Sequence, residues 1–147
     1  MTWSALQGVE SVPMTAAANK GLLQHVFTEV AKGNSAPFID MLDDDVRWTI
    51  IGSTAWSRTY EGKQSVLDDL LRPLNKQLHG RNIIAAHRFI ADDDHVVVEA
   101  RGRNSTVDGV RYHNEYCWVF RLVDGRVHEL TEYADTQLMG SALEAPD

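Results

Sequence analysis

The sequence predicts an α+β domain with its helices first and an antiparallel sheet last. Apolar residues fall at helical spacing in the first half, at Leu22, Leu23, Val26, Phe27 and Val30 and again at Val66, Leu67, Leu70, Leu71 and Leu74. From Gly80 onward they alternate in strand-like runs divided by turn-rich stretches. The run Tyr112 to Asp135, YHNEYCWVFRLVDGRVHELTEYAD, holds two alternating segments around Asp124-Gly125, the strongest hairpin signal in the chain. Helices segregated from strands in this way pack on one face of a curved sheet.

At 147 residues, with 24% charged and 44% hydrophobic residues, the chain reads as one soluble domain. A net charge of −7 argues against nucleic acid, whose phosphates need clustered Lys and Arg. No apolar run approaches the roughly 18 residues of a membrane span. The start, MTWSALQGVESVPMT, lacks the pattern of a secretory signal, so a cytoplasmic location with no membrane contact is expected. Cys117 is the single cysteine and reads as a small hydrophobe on a strand. The histidines are scattered without ligand spacing, and no metal or cofactor is expected.

Taken in order, residues 1–14 form an arm, 15–138 the domain and 139–147 a tail. Thr15 caps a helix from about Ala16 to Lys32, ended by Gly33-Asn34. Ser35 caps a second, short helix with Pro37 in its first turn, and Asp43 to Asp45 close it as a solvated turn. Val46 to Ile51 is a strand, and the loop after it, with Gly52, Ser53, Trp56 and Gly62, can lid a pocket, although aromatics in loops more often pack onto their own domain. Lys63 to Leu78 is a third helix that Pro73 should kink or shorten. Ile83 to Ile90, His95 to Arg103, Tyr112 to Leu122 and Arg126 to Asp135 are strands.

The hairpin closes in one of two ways. A two-residue type I′ turn pairs Val123 with Arg126 and sets Tyr116 opposite Tyr133. A three-residue loop with Gly125 as a bulge pairs Leu122 with Arg126 and sets Tyr116 opposite Glu132. In the second case Asn114, Tyr116, Trp118, Phe120, His128, Leu130, Glu132 and Ala134 share a face. Polar tips on an aromatic face are what a small-molecule pocket presents. On the preceding strand Glu99, Arg101 and Arg103 share one side and Val96, Val98 and Ala100 the other.

The order of elements, the run Val46-Arg47-Trp48-Thr49-Ile50-Ile51-Gly52, the Tyr112-x-Asn114-x-Tyr116 strand and the ending Glu132-Tyr133-Ala134-Asp135 resemble the SnoaL-like and ketosteroid-isomerase-like branch of the nuclear transport factor 2-like superfamily, over roughly residues 15–138. The resemblance implies a cone-shaped barrel, a strongly curved, mixed and mostly antiparallel sheet wrapped around N-terminal helices, with a deep pocket and commonly a homodimer through the sheet. Members include isomerases, polyketide cyclases, dehydratases and epoxide hydrolases, and modules without catalysis.

By resemblance to the limonene epoxide hydrolases, Glu132 takes the place of the last-strand carboxylate, and Glu99 and Arg101 those of the other two charged groups. This register requires the three-residue turn. Trp48 and Ile50 stand where that group has a tyrosine and an asparagine. Ketosteroid isomerases use a carboxylate base with a tyrosine donor, and Tyr116 fits the latter, while Phe27 and Val30 occupy the inward face of the first helix. In SnoaL-type cyclases an aspartate near the end of the last strand is acid and base. Asp135 is its counterpart and ranks second to Glu132.

The resulting expectation is a cofactor-free acid/base enzyme for a hydrophobic small molecule bearing a carbonyl, hydroxyl or epoxide. Its catalytic set is Glu132, Glu99, Arg101, Tyr116 and Asp135. Asn114, Trp118, Trp48, Ile50, Phe27, Val30 and Trp56 hold the substrate, and the pocket raises the Glu132 pKa while Arg101 pulls it back. The alternative is a non-catalytic small-molecule-binding or dimerisation module in which the charged groups neutralise one another.

Overall fold

The computed structural model describes residues 14–147, so the expected N-terminal arm lies, Met14 apart, outside the described residues. Helix α1 spans Ala16–Val30, and Thr15 caps it by accepting a hydrogen bond from the Ala18 N–H at 3.0 Å. Its buried stripe includes Leu23, Val26, Phe27 and Val30. Helix α2, Ala36–Met41, has Ser35 in its N-cap position, but the Ser35 side chain makes no capping bond; the Asn34 Oδ1 accepts the Ala36 N–H instead, at 3.3 Å.

Strand β1, Leu42–Ile50, takes in the acidic triplet that the sequence reading assigned to a turn. It pairs with β2, Thr59–Glu61, on one side. The third helix is composite: α3 at Lys63–Ser65, a π-helical stretch at Val66–Leu71 and α4 at Arg72–Gln77. Pro73 neither ends nor shortens it. The helix widens ahead of the proline, with the Arg72 N–H donating to the Leu67 carbonyl, and this accommodates a residue that has no N–H of its own.

The remaining strands are β3 (Ile84–Asp92), β4 (His95–Gly102), β5 (Asn104–Ser105), β6 (Arg111–Tyr112), β7 (Glu115–Val123) and β8 (Arg126–Ala134). Six strands form one mixed sheet in the order β2-β1-β8-β7-β4-β3, with β1 and β8 parallel, and β5-β6 form a separate ribbon. The sheet wraps the helices as an α+β cone. Phe27 is the hub between them, its ring centroid 5.5 Å from Trp118, 6.0 Å from Phe38 and 6.1 Å from both Phe89 and Phe120.

The chain beyond residue 138 is not a free tail. Helix α5, Thr136–Ala142, buries Met139, and Leu143 follows it into the core. The Glu144 carbonyl accepts hydrogen bonds from Trp56 Nε1 and Gln77 Nε2, both at 3.0 Å. Trp56 is therefore fixed in the core, 2% exposed, and the loop carrying it is packed rather than an open lid.

The central hairpin combines features of both expected closures. Val123 pairs with Arg126 across a two-residue turn whose Asp124 and Gly125 have φ of 50° and 75°, the type I′ geometry. The register then shifts: Leu122 pairs with Val127 but Arg121 with Glu129, so His128 is an extra residue in β8. Trp118 ends opposite Glu132 and Tyr116 opposite Ala134, correcting the expected Tyr116–Glu132 pairing. β1 is irregular at the same level, where Leu42 pairs with Val127 and Arg47 with Glu129. Asp43, in the intervening segment, accepts from Arg126 Nε at 3.3 Å and lies 3.6 Å from His128 Nε2. His128 thus belongs to the bulge, not to the pocket face.

Gly125 is confined in two ways. Its φ is left-handed, and an added Cβ would come 3.2 Å from Met14 Sδ and 3.4 Å from Leu22 Cδ1. Gly125→Ala is expected to cost about 1–2 kcal/mol, read as a lowered urea midpoint with an unchanged slope.

Candidate functional site

Two adjoining chambers lie among the described residues. The outer, about 520 Å³, lies between α1, α2 and the turn at Gly80 to Asn82, with Phe27, Val30, Phe38, Trp48 and Trp118 among its walls. The inner, about 50 Å³, reaches Glu132, Tyr112 and Tyr116 and is closed by Ile50, Trp56 and Met139. Trp48, Trp118, Leu71, Asn82 and Ile84 line both. The two indoles thus stand between the larger space and the acid.

Glu132 is 6% exposed and, among the described residues, is the one charged group of the inner chamber. Its orientation follows from the hairpin. A type I′ turn without a bulge would put Thr131 opposite Trp118 and turn Glu132 outward, whereas the extra residue at His128 rotates the rest of β8 by one position. Oε1 accepts from Trp118 Nε1 at 2.9 Å and from Trp48 Nε1 at 3.3 Å. No donor among the described residues takes Oε2. Burial pushes the carboxyl up to about 7, although both indole bonds favour the ionised form and pull the other way. Desolvation wins because no cation accompanies the acid among the described residues.

Tyr116 stacks on Trp118, with ring centroids 4.6 Å apart. Burial drives its phenol well above the ordinary tyrosine range, and Tyr112 beside it is raised for the same reason. Both remain protonated near neutral pH and act as neutral hydrogen-bond groups. Tyr112 was not among the expected site residues. Its even parity with Asn114, Tyr116 and Trp118 was the available signal, obscured because the expected single strand breaks into β6 and β7.

Four expected site residues line neither chamber. Glu99 and Arg101 lie on the outer face of β4, since Val96, Val98 and Ala100 take the buried side. There Glu99, partly exposed, pairs with Arg88 at 3.2 Å, and the exposed Arg101 pairs with Glu115 at 2.8 Å, so Arg101 exerts no pull on Glu132. Asp135 is exposed and caps α5, its Oδ1 accepting the Leu138 N–H at 3.1 Å. Asn114 is fully buried but has no free hydrogen-bonding capacity for a substrate. Its Oδ1 accepts from the N–H of Glu115 at 2.8 Å and of Asp135 at 3.0 Å, while its Nδ2 donates to Tyr112 Oη at 3.1 Å and the Asp135 carbonyl at 3.3 Å.

Glu132, Tyr116, Trp48, Trp118, Ile50 and Trp56 do meet around the inner chamber, and Phe27 and Val30 around the outer. Leu70, Leu74, Met139 and Leu143 join the inner walls from the composite helix and the C-terminal segment. Periodicity marks the two helix leucines as buried but not as cavity lining.

The family model for the SnoaL-like domain matches residues 23–130. The chain belongs to the SnoaL-like domain family. Among solved structures, this SnoaL-like domain is similar to a nuclear transport factor 2-like protein of unknown function from Burkholderia pseudomallei, 21% identical, with 90% of this chain and 100% of that one covered at a TM-score of 0.74. It is also similar to a protein from Jannaschia sp. CCS1 provisionally named a SnoaL-like polyketide cyclase, at 18% identity, 95% and 100% coverage and a TM-score of 0.72. A protein from Rhodopseudomonas palustris provisionally named an isomerase is 14% identical, with 82% and 91% coverage and a TM-score of 0.64. At these identities the likeness establishes the fold. No curated protein matches the sequence. No helix among the described residues is long and apolar enough to cross a membrane.

Proposed function

We propose that the SnoaL-like domain is a cofactor-free proton-transfer catalyst for a hydrophobic small molecule, with Glu132 as the group that takes and returns the proton. The observation that supports this reading is a buried carboxyl with no cationic partner among the described residues, one oxygen occupied by two indoles and a pKa of about 7. A carboxyl near the working pH is matched to both halves of a proton shuttle. The indole bonds keep Oε1 occupied, so the transferable proton resides on Oε2. A substrate carbonyl oxygen next to the Tyr112 and Tyr116 phenols would gain a donor as negative charge develops on it. The reaction class is then removal of a proton from carbon beside a carbonyl and its return to the same or another carbon, as isomerisation or enol-driven cyclisation requires.

A substrate reaches the acid from the outer chamber and inserts only its reacting end between Trp48 and Trp118, because the inner chamber has room for a small group and no more. That same narrowness favours a second reading, a binding module whose ligand stays in the outer chamber. Deuterium incorporation into a panel of cyclic ketones and 1,3-diketones, followed by NMR in heavy water, separates the two. Wild type should exchange protons beside the carbonyl above the buffer rate, rising through pH 7, and Glu132→Gln should reduce the enzymatic rate by about 100-fold or more. Equal exchange in wild type and Glu132→Gln would remove the proton-transfer reading.

A further inference from the structure

We infer that the occupant of the pocket is an amphipathic anion, a flat apolar body whose anionic group is held at the outer end by Arg81 and Asn82. This rests on the reading that the pocket binds a hydrophobic small molecule, and it adds the charge and orientation of that molecule. Among the described residues each chamber is lined by one formally charged residue, Arg81 in the outer and Glu132 in the inner. An ionised Glu132 repels an anionic group, so that group sits at the Arg81 end and the neutral reacting end enters between the tryptophans.

Arg81 is an exposed residue at the rim. Its aliphatic stem lies against Gly33, where a Cβ would come 2.9 Å from the Arg81 Cδ and 3.1 Å from its Cβ. Nη1 donates to the Gly33 carbonyl at 3.4 Å, the one protein acceptor for this guanidinium among the described residues. The remaining N–H groups are available to a ligand, and a planar guanidinium favours a carboxylate.

Asn82 adds a second donor, and its orientation is fixed by a chain of hydrogen bonds. The Ile83 N–H donates to Asn104 Oδ1 at 2.9 Å, so Asn104 must present its Nδ2 to the Ile83 carbonyl at 3.2 Å and to Asn82 Oδ1 at 2.8 Å. With its oxygen engaged, Asn82 offers its NH₂ group as the free end, and Asn82 lines both chambers. Asn34, also at the rim, is held by Glu29, whose Oε1 accepts from Asn34 Nδ2 at 3.1 Å, and by the Ala36 N–H, which donates to Asn34 Oδ1 at 3.3 Å; one N–H of its NH₂ group has no partner among the described residues. The rim is thus rich in donors, while Phe27, Phe38, Trp48 and Trp118 supply flat walls.

The test uses 2-naphthoate and its neutral counterpart 2-naphthamide, titrated into the full chain by calorimetry at low and high salt. Wild type should bind the anion at least about tenfold more tightly than the amide, a preference that weakens with salt. Arg81→Gln should reduce the preference to under about twofold, Asn82→Leu should reduce it in part, and Arg81→Lys should retain some of it. Three results overturn the inference: naphthoate fails to bind at millimolar concentration, the amide binds as well as the anion, or the preference survives Arg81→Gln. The last, combined with a lowered melting temperature, would identify Arg81 as a cap on the end of α1 only. The anion preference is read on wild type and the Arg81 and Asn82 variants, and ketone exchange on wild type and Glu132→Gln, so the two outcomes are independent. Exchange without anion preference rejects this inference and leaves the acid/base reading intact; anion preference without exchange does the reverse.

Discussion

Glu132→Gln is expected to remove a fall in stability that wild type shows between about pH 4.5 and pH 7. Burial raises the carboxyl of Glu132 from the ordinary glutamate value of 4.5 to about 7. In this interval the folded protein holds a proton that the unfolded chain has released. Stability is therefore greatest below the unfolded pKa and declines as pH rises through the folded one. The full shift corresponds to roughly 3 kcal/mol at 1.36 kcal/mol per unit. Urea unfolding at pH 5 and pH 8 should show most of that difference in wild type, superimposed on the titration of exposed groups common to both proteins. The glutamine keeps an oxygen for the two indole donors but has no proton to lose, so its profile lacks this component. If both proteins lose stability in parallel, Glu132 does not carry the raised pKa.

Asn114→Ala should be the most damaging single polar substitution, costing about 3–4 kcal/mol. Four hydrogen bonds meet at this fully buried amide and join β6, β7 and the junction between β8 and α5. Removing it leaves the Glu115 and Asp135 N–H groups without their acceptor in a site that is partly or wholly buried, and each such loss costs about 1–3 kcal/mol. Chemical denaturation measures the total. Hydrogen exchange locates it, because the Asp135 amide and the first turn of α5 should lose protection before the central strands do. A cost below 1 kcal/mol would mean that water replaces the side chain without strain.

The position of Asn114 also shows where reasoning from residue types reached its limit. A buried asparagine on an aromatic face reads equally as a ligand contact or as a clamp. The difference lies in whether its four hydrogen-bonding positions are already filled, and the partners come from segments up to 21 residues away. The same holds for Glu99 and Arg101. Alternation on β4 supports the solvent-facing assignment, and only the resemblance brought these two charges inward.

Periodicity and turn chemistry determined the α+β class, the first three helices, the long strands and the hairpin tip at Asp124-Gly125, because these depend on local backbone preference and on one buried face per element; they did not mark the short strand β2, the start of β1 or helix α5. The inward aromatic set of β7, Tyr116, Trp118 and Phe120, was likewise legible, since alternation along a single strand needs no knowledge of its partner. Tertiary structure decided how the turn was closed. One extra residue at His128, set beside the displaced Asp43 segment of β1, rotates β8 so that Glu132 meets the two indoles while Thr131 does not. A bulge depends on both neighbouring strands at once, and no period within one strand encodes it. The acid enters the pocket through that irregularity.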